Sequence, residues 1–142
     1  MVVPFTKYPP LIPGLGVTYR PILRVKFLHK LFGIRAYALI DSGADNTLLN
    51  KDYAKRLGIK WDSSTRIAQT HGIYGGAIPM YLHDIEMEII NYPNSRVQTT
   101  VAFVDLPNVD VLLGQIGFFE HYHVKFRHSA REIDIEIPAQ TP

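Results

Sequence analysis

The chain has 142 residues, 46% hydrophobic and 20% charged, the scale of one globular domain with enough apolar material for a core, which excludes a large multi-domain enzyme. Fifteen basic residues against 13 acidic ones give a net charge of +2 with no run of Lys or Arg, so nucleic acid is not expected as a partner. The absence of cysteine removes a disulfide framework, thiolate-bound zinc, an iron–sulfur cluster and a thiol nucleophile.

Four of the ten prolines, Pro4, Pro9, Pro10 and Pro13, fall early and remove backbone donors, so residues 1–13 read as an extended, proline-rich N-terminal arm, free or docked. The start lacks the basic-then-apolar pattern of a secretory signal. The apolar run at 36–40 stops at Asp41, far short of the roughly 20 residues that cross a bilayer. A cytoplasmic chain with no membrane partner is expected. Alternating residues at 22–28, a turn at Gly33 and a second apolar stretch at 34–40 predict a hairpin whose second strand ends buried on both faces. Asn50 as cap, Tyr53, Ala54 and Leu57 on one side and Gly58 as stop predict a short helix. A polar stretch at 65–69, glycines at 72–76 and period-two residues at 78–90 predict a long hairpin with a glycine tip. Strands follow at 97–104 and 109–113, then a closing pair at 121–126 and 133–137. No repeat appears, so residues 14–137 form one mainly β domain with one or two short helices, and 138–142 read as a mobile tail.

The chemical signal lies where the apolar strand runs into Asp41. An unpaired, ionised carboxylate there costs several kcal/mol, so it must be paired, neutralised or opened to a cleft. The alternative is a solvated turn, since Asp, Ser, Gly and Asn all form turns. The run Asp41-Ser42-Gly43-Ala44-Asp45-Asn46-Thr47 resembles the signature of the retroviral-type, or retropepsin-like, aspartic proteases. The glycine hairpin at 72–76 resembles that family's flap, and Val111-Leu112-Leu113-Gly114 resembles the apolar-apolar-Gly motif before its short C-terminal helix. Together these landmarks span about residues 17–137. The run Gly114-Gln115-Ile116-Gly117-Phe118-Phe119-Glu120 and the long spacing to the flap are more similar to cellular and microbial members than to viral ones.

The resemblance implies a mainly β, retropepsin-like acid protease barrel with a flap, forming a C2 homodimer that acts as an aspartic endopeptidase on peptide or protein substrates, with no metal and no cofactor. The family's two carboxylates share one proton, one acting as base on a water and the other as acid. This chain carries one such motif where a two-lobed enzyme carries two, which implies that the second Asp41 comes from a second copy. Asp41, Ser42 and Gly43 are the implied catalytic residues. Ser42 would bond across the two-fold axis, or locally as a turn hydroxyl. Gly43 would let substrate backbone approach. Ala44, Asp45 and Asn46 would border the peptide; Ala44 lacks a hydroxyl that pepsin-like sites carry, which implies work at weakly acid pH. Ile73, Tyr74, Gly75 and Gly76 would form the flap. Leu48, Ile78, Leu106 and Ile116 would be pocket walls or plain core. Retroviral enzymes typically have Arg at the position of Gln115, pairing with the residue corresponding to Asp45, so Gln115 is a neutral partner there.

A catalytically weak or inactive peptide-binding or dimerisation module is the alternative reading, and a purely structural assembly role a third. His121, His123 and His128 could edge a metal site, but a solvated histidine-rich edge is the commoner arrangement and no metal is expected. His71 and His83 flank the hairpin and could tune its opening with pH.

Overall fold

The alternation at 22–40 folds as a hairpin in a computed structural model that describes residues 1–10, 12–71 and 75–139. Strands β1 (Val2–Pro4), β2 (Thr6–Tyr8) and β3 (Thr18–Arg20) precede it, and its arms are β4 (Ile22–His29) and β5 (Phe32–Ile40), in register from Ile22↔Leu39 to His29↔Phe32. Leu23, Val25 and Phe27 of β4 and Ala36, Ala38 and Ile40 of β5 point inward, as a half-buried strand requires. The end of β5 is not buried on both faces. Leu39 is half-buried and Tyr37 is 66% exposed, because only one face of β5 meets the core; Arg24 covers part of the Tyr37 ring at 5.8 Å.

After β6 (Leu48–Asn50), helix α1 (Lys51–Arg56) starts where Asn50 Oδ1 accepts from the Asp52 amide and stops before Gly58, whose φ of +67° suits glycine. Ala54 and Leu57 are buried and Tyr53 packs against them, its hydroxyl donating to Asp110 at 2.7 Å. Burial and that carboxylate push the Tyr53 phenol well above its usual range. Strands β7 (Ile67–His71) and β8 (Ala77–Ile89) form the second hairpin, and β9 (Tyr92–Val104), β10 (Val111–Leu113), β11 (His123–Arg127) and β12 (Glu132–Glu136) complete the set. Six strands close a barrel in the order β4, β5, β10, β6, β9, β8, with β8 returning to β4 and β7 hanging from the edge of β8. Phe27, Leu49, Met87, Phe103 and Leu113 are wholly enclosed, each worth about 1.5–3 kcal/mol in buried apolar surface.

Strand β9 begins at Tyr92, earlier than the expected 97. Pro93 argues against a strand from sequence, yet it falls in a bulge where the ladder shifts register between Met87 and Ile89. Ser95, fully buried, serves this bulge: its Oγ accepts from the Ile89 amide at 2.8 Å, and its carbonyl accepts from the buried Tyr122 hydroxyl. Ser95→Ala is expected to strand the Ile89 N–H and cost about 1–3 kcal/mol, read as a lower urea midpoint at unchanged m.

The arm is docked. β1 pairs with β12 from Val2↔Asp134 to Pro4↔Glu132, and β12 also pairs with β11, giving a three-stranded sheet. β2 and β3 pair as a ribbon, stiffened by Arg20 over Tyr8 at 4.6 Å and Arg131 over Tyr19 at 4.0 Å. Strand β10 begins at Val111 and β11 at His123, both two residues later than expected; His121 lies in the preceding turn, while Tyr122 is buried. Residues 115–121 form turns around a bridge at Ile116, where the resemblance implied a short helix. The last three residues of the tail lie outside the described residues. Among the described residues, no helix is long and apolar enough to cross a membrane.

Candidate active site

β5 and β10 run parallel, Leu113 beside Ile40, and the next amide, that of Asp41, donates to the Leu113 carbonyl at 3.0 Å. Asp41 is thus placed by the end of a barrel strand, and the chain turns there because the Ala44 amide donates back to the Asp41 carbonyl at 3.2 Å. The Asp41 side chain is oriented by its own loop, with Oδ1 accepting from the Gly43 amide at 2.9 Å. A Cβ at residue 43 would lie 3.2 Å from that same oxygen, so glycine gives the carboxylate room. Asp41 is half-buried, while Ser42, Gly43 and Asp45 are exposed. Among the described residues, the Ser42 hydroxyl and the Asp45 carboxylate have no hydrogen-bond partner.

The segment after β10 zips onto this loop. Gln115 N–H donates to Ala44 O at 2.9 Å, Ile116 N–H to Asp45 O at 2.9 Å, and Thr47 N–H to Ile116 O at 2.8 Å, around a bridge between Asn46 and Ile116. Gln115 does not pair with the Asp45 side chain. Its Nε2 donates instead to the Ser42 carbonyl at 2.7 Å.

Beneath the loop sits Thr47, fully buried, whose Oγ1 accepts from the Gly114 amide at 3.1 Å. Gly114 has no room for a side chain: an added Cβ would lie 2.4 Å from Asn46 O and 2.6 Å from Ala44 O. Gly117, at φ +98°, is pressed against Thr47 and Thr100 O, and its carbonyl accepts from Thr99 Oγ1 at 2.8 Å while its amide donates to Glu120 at 2.9 Å. Sequence reasoning assigned no task to Thr47, Thr99 or Gly117. The signal for Thr47 was its place at the end of the Asp41–Thr47 run.

The other candidates separate into groups. Leu48, Ile78 and Leu106 join one small apolar cluster around Met80, Ala102 and Val104, on the side of the β7–β8 hairpin. Ile116 stands apart, 46% exposed beside the loop. Gly75 adopts φ +82° just before β8, a conformation that suits glycine, and among the described residues no atom lies within 4 Å of a Cβ built on Gly75 or Gly76. Ile73 and Tyr74 lie outside the described residues. At the base of that hairpin, Thr100 Oγ1 donates to Asp84 at 2.7 Å and Arg66 pairs with it at 2.9 Å, holding its carboxyl below the ordinary carboxylate range. A depressed carboxyl contributes stability that is present above the unfolded value near 4 and is lost as pH falls through the lower folded value. Solvent screening keeps that contribution small at this exposed pair.

His83 is held by the Trp61 carbonyl at 2.8 Å and the edge of Phe103, and His71 ends β7 in the open. His121 meets Thr99 and Glu120, His123 meets Glu136, and His128 packs on Phe5, so they do not converge. Among the described residues, no group of three His, Asp or Glu is arranged to hold a metal. Hollows of about 250 Å³ beside Tyr53 and about 470 Å³ between Pro93 and Ala139 contain no residue of the Asp41 loop.

A family model described as "gag-polyprotein putative aspartyl protease" matches residues 31–119, more than half of the chain, from the turn before β5 to the zipped segment after β10. The chain belongs to this retroviral-type aspartyl protease family. Among solved structures, it is similar to "EIAV protease complexed with the inhibitor HBY-793", at 20% identity and a TM-score of 0.47, over 67% of this chain and 81% of that one. No curated protein sequence matches the chain.

Proposed function

We propose that the chain is an aspartic endopeptidase whose site is completed by a second copy of itself. The observation that carries this reading is Asp41, half-buried at a strand end, with its Oδ1 on the Gly43 amide and an open Ser42-Gly43 edge beside it. One chain of this family supplies one such carboxylate, and the acid–base chemistry needs two. The second Asp41 comes from the partner across a two-fold axis, where Ser42 bonds to the partner's loop.

Catalysis then runs without a covalent intermediate. A water held between the two carboxyls loses a proton to the ionised one and attacks the scissile carbonyl, whose oxygen takes the proton of the neutral one. As the tetrahedral intermediate collapses, the carboxyl that took the water proton gives it to the departing amine, and the other carboxylate takes a proton back from one hydroxyl of the intermediate, whose oxygen becomes the carbonyl of the new carboxyl group. The peptide lies extended, its main chain met by Gly43, Ala44, Asp45 and Asn46. Leu48, Ile78, Leu106 and Ile116 line side-chain pockets, and the β7–β8 tip with Ile73, Tyr74, Gly75 and Gly76 closes over the peptide to exclude water.

The test is peptide cleavage from pH 3 to 7 with the mass in solution measured at each dilution. Specific activity is expected to fall with the dimer fraction as the protein is diluted. Cleavage by a species of monomer mass overturns the shared site. A dimer that binds peptide and cuts none at any of these pH values favours the peptide-binding module instead.

A further inference from the structure

The Ser42–Gly43 peptide unit is held at both ends. Its N–H donates to the Asp41 carboxylate at 2.9 Å, and its carbonyl accepts from Gln115 Nε2 at 2.7 Å. A peptide unit is a rigid plane, so a group that fixes the carbonyl fixes the direction of the N–H on the opposite side. We propose that Gln115 is a positioning residue for catalysis: by holding the Ser42 carbonyl it locks the Ser42–Gly43 plane with its N–H aimed at Asp41 Oδ1, and so sets the orientation of the reacting carboxylate.

Three features of the chain converge on this role. Ser42 and Gly43 are exposed, so the loop's own packing does not hold their peptide plane. Gly43 has no side chain to resist rotation of that plane. The backbone of Gln115 is itself fastened to Ala44 O at 2.9 Å, which leaves its side chain a short and defined reach to the Ser42 carbonyl. Hydrogen bonds through one amide also polarise each other, so a carbonyl that accepts from Gln115 has a better N–H donor for the carboxylate. Loss of the latch lets the plane turn, and Asp41 loses its donor and its fixed orientation together. The neutral side-chain amide of Gln115 serves the peptide plane.

The proposal rests on Asp41 being the catalytic carboxylate, and its test separates the two ideas. Gln115→Ala is expected to lower kcat about tenfold, with KM and the dimer dissociation constant within about twofold of wild type, because orientation and not binding is lost. Gln115→Glu gives the sharper signature. Protonated, Glu donates to the Ser42 carbonyl; ionised, it repels that carbonyl. The titratable groups on the segments bonded to residue 115 are the acids Asp41, Asp45 and Glu120 and one base, His121, whose ring faces Glu120 at 3.5 Å and Thr99 at 3.2 Å; acids outnumber it, so the new carboxyl is expected to titrate at or above its ordinary value near 4.3. The ratio of variant to wild-type kcat is therefore expected to approach one below about pH 4 and to fall about tenfold by pH 6. The Gly43 amide resonance supplies a readout independent of cleavage: in wild type it should shift as Asp41 titrates, and in Gln115→Ala that shift should shrink and the amide exchange faster with solvent.

A pH-independent ratio in Gln115→Glu, or an unchanged Gly43 amide in Gln115→Ala, overturns the latch even if the wild type cuts peptide. A wild-type dimer that cuts nothing defeats the protease reading, and the Gly43 resonance then decides the latch on its own.

Discussion

Asp41→Asn is expected to reduce peptide cleavage by at least about a thousandfold while leaving the dimer and its melting temperature within about 2 °C of wild type. The substitution removes the ionisable group and little else. An Asn side-chain oxygen can still accept from the Gly43 amide that holds Asp41 Oδ1 at 2.9 Å, and the Asp41 backbone bond to Leu113 is untouched. A mixture supplies the stronger test. If each site needs Asp41 from both chains, re-equilibrated equimolar wild type and Asp41→Asn leave only about a quarter of the dimers with two carboxylates. Activity at constant total protein should then follow the square of the wild-type fraction. A linear dependence would mean that one carboxylate suffices and that the second copy is dispensable to the chemistry.

How far the sequence discloses this site depends on which interactions are local. The β4–β5 hairpin, helix α1 and the β7–β8 hairpin are readable because one buried face imposes period two and because Asn50 and Gly58 mark the helix ends with side-chain and backbone requirements of their own. The position of Asp41 after an apolar strand is readable for the same reason. The exposed outer face at Tyr37 is not, since a run of apolar residues looks alike whether one face or two are covered. Pro93 hides the first part of β9 because the bulge that accommodates it depends on Ser95 and Tyr122, 27 residues apart. The docking of Val2–Pro4 on β12 joins the two ends of the described chain, a pairing no window of sequence contains.

The apolar-apolar-Gly motif illustrates the difference between a pattern and its cause. Val111 and Leu113 point into the core and Leu112 lies between β5 and β6, which any buried strand would satisfy. The need for glycine at 114 appears only when the loop at 44–47 is laid against it. Gln115 is a similar case. Its departure from Arg is visible in sequence as a missing charge partner for Asp45, while its contact with the Ser42 carbonyl is visible only once both segments share an edge.

Gly114→Ala is expected to destabilise the fold by about 3 kcal/mol or more and to abolish cleavage even in the fraction that remains folded. The added methyl would lie 2.4 Å from Asn46 O and 2.6 Å from Ala44 O, backbone atoms that cannot swing aside as a flexible side chain does. Relief requires the 44–47 segment to lift from residues 114–117, and that breaks the bonds from Gln115 to Ala44, Ile116 to Asp45 and Thr47 to Ile116. Asp41 sits three residues upstream on the same turn, so its seat moves with them. Thr47 separates packing from hydrogen bonding at this point. Thr47→Val keeps the buried shape and removes the acceptor of the Gly114 amide, with an expected cost of about 1–3 kcal/mol. Thr47→Ser keeps the acceptor and loses one methyl, about 1 kcal/mol or less. Equilibrium urea unfolding ranks the three, and cleavage measured well below each midpoint tells a displaced loop from a merely less stable one. Wild-type stability and rate in Gly114→Ala would mean that the two carbonyls yield freely, and the rigid seat assigned to Asp41 would have to be given up.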